Sequence, residues 1–226
     1  TYYFNLKKTN EDLVKANEML RNQLTQQYTG PDTSAVIKVD TTVVDSAGNF
    51  RKYIWREAKV VNNNISLPNN MLTIERGENQ GVQEDMGVVG PGGVVGTVIS
   101  TSANYAVVMS MLHRQSRISS KLKKTGETGP VIWDGINPQY VIMNNIPKSV
   151  AVAVGDSVVT SNYTFKFPPD ILVGTVAEII EDKSSNFYTL KLKTATNFYS
   201  VEHVMVVENV FKVEQNKLEA ATKIND

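Results

Sequence analysis

The sequence predicts a mainly β protein in which an N-terminal coiled-coil helix precedes two small six-stranded β-barrels. Three observations indicate this class: a leucine heptad at the start of the chain, many short runs of valine and isoleucine after residue 33, and Gly, Asn or Pro between those runs. Short β-branched runs joined by tight turns are typical of sandwiches and barrels, whereas alternating helices and strands would give a parallel sheet.

The first element is predicted to be a dimerising helix over residues 1–29. Leucines recur every seven residues at the d positions. Asparagines occupy two of the a positions, where they cost stability but favour a parallel dimer in one register. We expect the helix to end before Gly30-Pro31. An amphipathic helix that packs on its own domain is the alternative. The positions assigned to the interface of the expected homodimer are Leu6, Asn10, Leu13, Asn17, Leu20 and Leu24.

A five-residue pattern occurs twice in the predicted strands. Val94-Val95-Gly96-Thr97-Val98 returns as Leu172-Val173-Gly174-Thr175-Val176, each copy after a proline-containing turn. Glycine inside a strand marks a bulge or a tight corner, which a small barrel needs in order to close. We therefore predict two barrels of similar build, with Gly96 and Gly174 as structural glycines and Gly155 in the turn that opens a later strand.

Counting strands along the chain gives a prediction for the domain boundaries. About six short strands lie between residues 87 and 143, enough for one barrel, whereas only about four follow residue 157. We predict an inserted barrel at 77–143, nested within an outer barrel formed by 33–76 and 144–211. The polar end of the chain, 212–226, is predicted to be a flexible tail.

The composition excludes several classes of protein. Lys and Arg together number 23 and so do Asp and Glu, so the basic excess of a nucleic-acid binder is missing. Without cysteine the chain has no disulfide, no thiol chemistry and no cysteine-ligated metal site. The two histidines lie far apart in sequence, and the glycine-rich stretch 90–96 lies between strands and does not open a helix. We therefore expect neither a metal nor another cofactor.

A catalytic triad is the main chemical alternative. His113, Asp134 and Ser157 occur in the order that trypsin-like proteases use, and Gly155-Asp156-Ser157 resembles the segment around their nucleophile. However, the strand formers Val158-Val159 follow Ser157, where an oxyanion loop needs glycine. We predict that the chain is not an enzyme. A trypsin-like or cell-wall hydrolase on two β-barrels stays the alternative, and a carbohydrate- or peptide-binding module is a third possibility.

Two further segments are candidates for surfaces that bind partners. Tyr163, Phe165 and Phe167 alternate with polar residues, so they form either a partner surface or part of a barrel core. A basic stretch lies further upstream, and it is either a solvated face or a contact for an acidic partner or the cell-wall polymer. The residues of this stretch are Arg114, Arg117, Lys121, Lys123 and Lys124.

Across residues 60–208 the chain resembles the family of rod shape-determining MreC proteins. The resemblance rests on an ordered set of glycine- and valine-rich segments at characteristic spacings. These segments are Val60-Val61-Asn62, Leu72 to Gly77, Gly81-Val82, Met86 to Val89, Gly93 to Gly96, Asn145-Ile146-Pro147, Gly155 to Ser161, Phe167-Pro168 and Val173-Gly174.

The resemblance implies a non-enzymatic scaffold of the cell-elongation machinery, which organises and regulates sidewall peptidoglycan synthesis and cell shape. It implies β-domains on the periplasmic or extracytoplasmic side of the inner membrane. These domains would be anchored by a single N-terminal transmembrane helix that precedes Thr1. The implied partners are a class B penicillin-binding transpeptidase and membrane proteins of the MreD and RodA type.

Overall fold

The computed structural model describes residues 2–23, 28–29 and 50–223. Within these residues the predicted class is confirmed: the protein is mainly β, with an N-terminal helix and two closed six-stranded barrels. The predicted strand at 36–39 and the heptad residue Leu24 lie outside the described residues. Neither described helix is long and apolar enough to cross a membrane.

The described residues form two α-helices and fourteen strands. In chain order they are α1 Tyr2–Gln23, β1 Tyr28–Thr29, β2 Phe50–Arg51, β3 Tyr53–Asn63, β4 Asn69–Ile74, β5 Gly87–Val89, β6 Val94–Thr101, β7 Ala106–His113, β8 Ile118–Leu122, β9 Thr128–Ile132, β10 Tyr140–Pro147, β11 Ser157–Thr160, β12 Leu172–Glu181, β13 Phe187–Thr194, β14 His203–Asn209 and α2 Lys212–Lys223.

Each barrel closes around an apolar core built from alternating strand positions. Barrel one has the cyclic strand order β14-β3-β4-β7-β6-β5, and barrel two has the order β10-β13-β12-β11-β8-β9. In β4, Asn70, Leu72 and Ile74 are buried while Met71, between Asn70 and Leu72, is exposed, the period of two that a half-buried strand requires. Met143 and Leu190 hold the same kind of core position in barrel two.

The barrels divide the chain differently from the prediction. The inserted barrel is barrel two, from Ile118 to Thr194, instead of 77–143. The outer barrel consists of Tyr53–His113 and β14, instead of 33–76 and 144–211. Counting strands gave the wrong boundaries, because the sequence of a short apolar run does not show which other strand it pairs with. At the end of the chain, where a flexible tail was predicted, residues 212–223 form helix α2.

By contact density the chain falls into two compact units. One comprises Thr1–Glu57 with Val207–Asp226, and the other comprises Ala58–Val206. In the first unit, α1 packs near the beginning of β3. The second unit holds barrel two entire and most of barrel one, so the contacts between the barrels described below lie within it.

The repeated five-residue pattern occupies matching places in the two barrels. Gly96 in β6 pairs with Val88 and Ser110, and Gly174 in β12 pairs with Val158 and Thr194. A Cβ on Gly96 would stand 2.1 Å from the Met109 carbonyl oxygen, and one on Gly174 would stand 2.5 Å from that of Lys193. Both glycines thus let a neighbouring strand approach closely. Gly155 has φ +94° in the turn before β11, a left-handed conformation that suits glycine.

Candidate interaction surfaces

The predicted heptad face of α1 is exposed in the single chain. Leu13 and Leu20 are 63 % and 62 % exposed, and Asn10 and Asn17 are exposed as well. Leu6 lies in the helix, although its side chain is not among those described. A coiled-coil helix without its partner helix exposes large aliphatic side chains at seven-residue spacing.

A different side of α1 contacts its own unit. The Asn22 side-chain amide donates to the Trp55 carbonyl at 3.2 Å, and the Trp55 N–H donates to Asn22 Oδ1 at 3.0 Å. The Arg21 guanidinium lies 4.8 Å from the centre of the Trp55 ring, and burial lowers the pKa of Arg21. Arg21 Nε also donates to Asn17 Oδ1 at 3.1 Å. The helix is therefore tied to β3 by its last turn, and this contact leaves Leu13 and Leu20 uncovered.

The three aromatic residues of the loop between β11 and β12 have different environments. Tyr163 is 82 % exposed, Phe165 is half-buried, and Phe167 is only 2 % exposed. Phe167 lies against Gly87 of barrel one, because a Cβ added at Gly87 would stand 2.6 Å from the Phe167 ring. The candidate partner surface thus reduces to Tyr163 and part of Phe165, whereas Phe167 packs between the barrels.

Hydrogen bonds and an ion pair brace this loop. Thr160 Oγ1 donates to the Pro168 carbonyl at 2.6 Å and accepts from the Ile171 N–H at 2.9 Å. The Lys121 ammonium lies 3.0 Å from the Asp170 carboxylate. Tyr163 is consequently presented by an ordered loop, which lowers the entropy that it loses on binding.

Sequence reasoning missed the junction between the barrels. The glycine-rich stretch, which was predicted only as a turn between strands, packs on barrel two, because a Cβ on Gly92 would stand 2.2 Å from the Ala195 carbonyl oxygen. A Cβ on Gly93 would stand 2.1 Å from that of Leu172. Thr196 Oγ1 also donates to the Val94 carbonyl at 2.9 Å, a buried bond. The density of glycine in this turn was the available signal, since glycine permits close backbone approach.

The residues of the possible triad have separate local roles. His113 ends β7 of barrel one, and its Nδ1 accepts from the Gln115 N–H at 3.0 Å. Burial lowers the pKa of its imidazole. Asp134 Oδ1 accepts from the Ile136 N–H at 2.9 Å, and Ser157 belongs to β11 of barrel two.

Among residues 2–23, 28–29 and 50–223, no three His, Cys, Asp or Glu side chains group as metal ligands.

These features define a double-β-barrel protein that exposes apolar and aromatic side chains on an ordered helix and an ordered loop. The family model described as "Rod shape-determining protein MreC, barrel core" matches residues 60–208. The chain therefore belongs to the MreC family of rod shape-determining proteins, as the sequence resemblance predicted.

Two curated relatives agree with this assignment. The cell shape-determining protein MreC of Listeria monocytogenes is 28 % identical over 168 residues, which are 73 % of this chain and 57 % of the relative. The cell shape-determining protein MreC of Haemophilus influenzae is 23 % identical over 208 residues, covering 90 % of this chain and 58 % of the relative. The chain thus spans slightly less than three fifths of the length of these relatives.

Solved structures of the family share the fold. MreC of Listeria monocytogenes superposes with a TM-score of 0.63 at 25 % identity, over 92 % of this chain and 91 % of that one. MreC of Pseudomonas aeruginosa gives 0.63 at 20 % identity, over 67 % and 97 %. A complex of penicillin-binding protein PBP2 with MreC from Helicobacter pylori gives 0.57 at 17 % identity, over 70 % and 99 %. Because their identities are only 20 % and 17 %, these last two matches show a shared fold and nothing more.

Proposed function

We propose that this chain is a non-enzymatic scaffold of the cell-elongation machinery that organises and regulates sidewall peptidoglycan synthesis. Family membership supports this role, because the curated relatives are named for cell shape determination. In the full-length protein, a single N-terminal transmembrane helix holds the barrels on the extracytoplasmic side of the inner membrane. A related MreC structure is described as a major periplasmic domain, which agrees with this placement.

The observation that carries the proposal is the uncovered heptad face of α1. Two copies bury Leu13 and Leu20 against each other in a parallel homodimer, with Asn10 and Asn17 setting the register. Each leucine that becomes buried stabilises the dimer by about 2 kcal/mol relative to alanine. Pairing through α1 would bring two sets of barrels, and their partners, together.

Sedimentation equilibrium tests the dimer. The wild-type chain should sediment as a dimer, and Leu13→Ala with Leu20→Ala should shift it to monomer at the same concentration. Met19→Ala is the matched control, because Met19 is 66 % exposed but lies outside the a and d positions. A wild-type chain that stays monomeric at about 100 μM, where a helical interface of this kind should associate, would remove the dimer from the proposal.

The proposed main partner is a class B penicillin-binding transpeptidase. The complex of PBP2 with MreC from Helicobacter pylori supports this partner, because that MreC shares the fold of this chain. Tyr163, exposed on its braced loop, is the proposed contact, since exposed tyrosines are enriched among binding hot spots. Membrane proteins of the MreD and RodA type are proposed as further partners of the anchored protein.

Binding to a purified transpeptidase ectodomain tests this part of the proposal. Tyr163→Ala should weaken binding by about tenfold. Tyr105→Ala is the control, since Tyr105 is 47 % exposed on a turn of barrel one. If both variants bind with the affinity of the wild type, Tyr163 is not the contact. Hydrolysis of peptides or muropeptides that disappears in Ser157→Ala would contradict the non-enzymatic role.

A further inference from the structure

We propose that a second surface binds an acidic polypeptide segment that carries a large apolar side chain. The surface consists of Leu67, Arg114 and Ile136, here called the ridge, and the cleft beside it. It is distinct from the residues assigned to the dimer and to the transpeptidase. The inference goes beyond the proposed function, because it requires neither of those interactions.

Arg114 joins two loops that belong to different barrels. Its N–H donates to the Pro68 carbonyl at 3.1 Å, next to Leu67 in the loop between β3 and β4. Its guanidinium covers Gly135, where a Cβ would stand 2.8 Å from Arg114 Nε, next to Ile136 in the loop between β9 and β10. The ridge therefore exists only because the barrels are packed together.

The two aliphatic residues of the ridge are exposed on ordered loops. Ile136 is 81 % exposed and Leu67 is 51 % exposed. The Ile136 N–H donates to Asp134 Oδ1 and the Leu67 N–H donates to Asn70 Oδ1, each at 2.9 Å. Exposed aliphatic groups on braced backbone lose little entropy when a partner covers them. Such residues are suited to a contact surface.

Arg114 of the ridge and its neighbour Arg117 carry positive charge without matching carboxylates. Arg114 and Arg117 make no ion pair with any described residue, and Arg117 Nη1 donates to the carbonyls of Arg114 and Ser116. The nearby carboxylate of Asp134 serves the loop itself through Ile136. By contrast, four lysines of the same unit are paired with acids. These lysines are Lys121, Lys148, Lys166 and Lys191. Guanidinium groups that make no ion pair favour carboxylates as ligands.

An open cleft of about 330 Å³ lies two residues further along the Ile136 loop. Pro138 and Gln139 line it together with Tyr199, which is 60 % exposed. Lys193 also lines the cleft and makes no ion pair with a described residue. A concave site with an aromatic wall and a cation accepts an apolar side chain from an acidic segment.

The exposed aliphatic residues decide between a polypeptide and an anionic wall polymer. A polyanion would gain from the cations alone, and its affinity would not depend on Ile136 or Leu67. A polypeptide with both carboxylates and an apolar side chain uses every feature of the surface: the guanidinium groups, the aliphatic ridge and the cleft.

Peptide selection against the complete chain tests the inference. Random twelve-residue peptides are selected by display, and enriched peptides are labelled and titrated by fluorescence anisotropy. The enriched peptides should be acidic and contain Leu, Phe or Trp. Arg114→Glu and Ile136→Ser should each weaken binding by about tenfold. The matched controls Lys124→Glu and Ile180→Ser change an exposed cation and a 42 % exposed isoleucine elsewhere, and should leave binding unchanged.

Several results would overturn the inference. One is that the selected peptides are not acidic. Another is that the control variants lose as much affinity as Arg114→Glu and Ile136→Ser. A third is that polyglutamate or polyphosphate binds as tightly as the selected peptides. Circular dichroism checks that each variant is folded. Independently of any variant, the Ile136 methyl resonance of the wild type must shift on adding peptide, and an unchanged resonance would also overturn the inference.

Discussion

Barrel one and barrel two share a strand order but receive their strands from the chain in different ways. Read round the barrels, β4-β7-β6-β5-β14-β3 corresponds to β10-β13-β12-β11-β8-β9. The strand that comes first in barrel two, β8, thus corresponds to the strand that comes last in barrel one, β14. Barrel two is continuous from Ile118 to Thr194, whereas barrel one closes only with His203–Asn209. The same topology is therefore formed by one continuous segment in barrel two and depends on a distant strand in barrel one.

Removing the closing strand should have the largest effect. A chain that ends at residue 200 lacks β14, so β3 and β5 become edges and barrel one can no longer close. We expect loss of hydrogen-exchange protection throughout β3–β7, with protection retained in β8–β13. A chain that ends at residue 211 keeps β14 and lacks α2, and serves as the control. Unchanged protection in β4 and β7 of the shorter chain would contradict the dependence of barrel one on β14.

The matching strand glycines should be the next most sensitive positions. Gly96→Ala and Gly174→Ala should each destabilise the protein by about 2–3 kcal/mol in urea unfolding. Gly96→Ala should be the more harmful, because its Cβ would meet a carbonyl oxygen at 2.1 Å instead of 2.5 Å. Gly126→Ala, with φ +78° and no atom within 4 Å, should cost only about 1 kcal/mol. Equal costs at all three positions would exclude close strand approach as the cause.

A change at the junction should separate the barrels without unfolding either one. Gly92→Ala places a Cβ 2.2 Å from the Ala195 carbonyl oxygen, so the turn that holds residue 92 and the chain at Ala195 must move apart. We expect a larger radius of gyration by small-angle X-ray scattering and unchanged exchange protection in the centres of β7 and β13. Gly90→Ala is the control, because its nearest neighbour is a Val95 methyl group at 3.1 Å. A Gly92→Ala variant with the wild-type scattering profile would contradict the tight junction.

The smallest expected effect is a dependence of barrel one on pH. The chain has two histidines, and both lie in strands of barrel one. Burial lowers the pKa of His113 below its ordinary value of 6.5, so the unfolded chain takes up this proton at a higher pH than the folded one. The stability linked to His113 is therefore complete above pH 6.5 and is lost as the pH falls below it.

Thermal unfolding at pH 7.5 and pH 5.5 measures this effect. The wild type should lose more stability between the two values than His113→Asn, whose side-chain oxygen can still accept from the Gln115 N–H. Exchange protection in barrel two, which has no histidine, should change less than protection in β7. An identical loss in the wild type and the variant would exclude His113 as the source.

The candidate surfaces were only partly predictable. The exposed Leu13 and Leu20 follow from heptad spacing, because a helix repeats its faces over a short stretch of sequence. Tyr163 and Phe167 looked equivalent in sequence, since both occupy alternate positions. Their environments differ because Gly87, some eighty positions upstream, leaves room for the Phe167 ring. No pattern within the loop carries that information.

The sequence by itself determined the local features of this protein: the helix, the alternating strands, the paired glycines and the membership of the MreC family. Tertiary structure alone decided that β14 closes barrel one, that Gly92 touches barrel two, and that Arg114 contacts both the Pro68 loop and the Gly135 loop. The physical reason is that side-chain periodicity tells which face of a strand is buried. It does not tell which strand lies beside it.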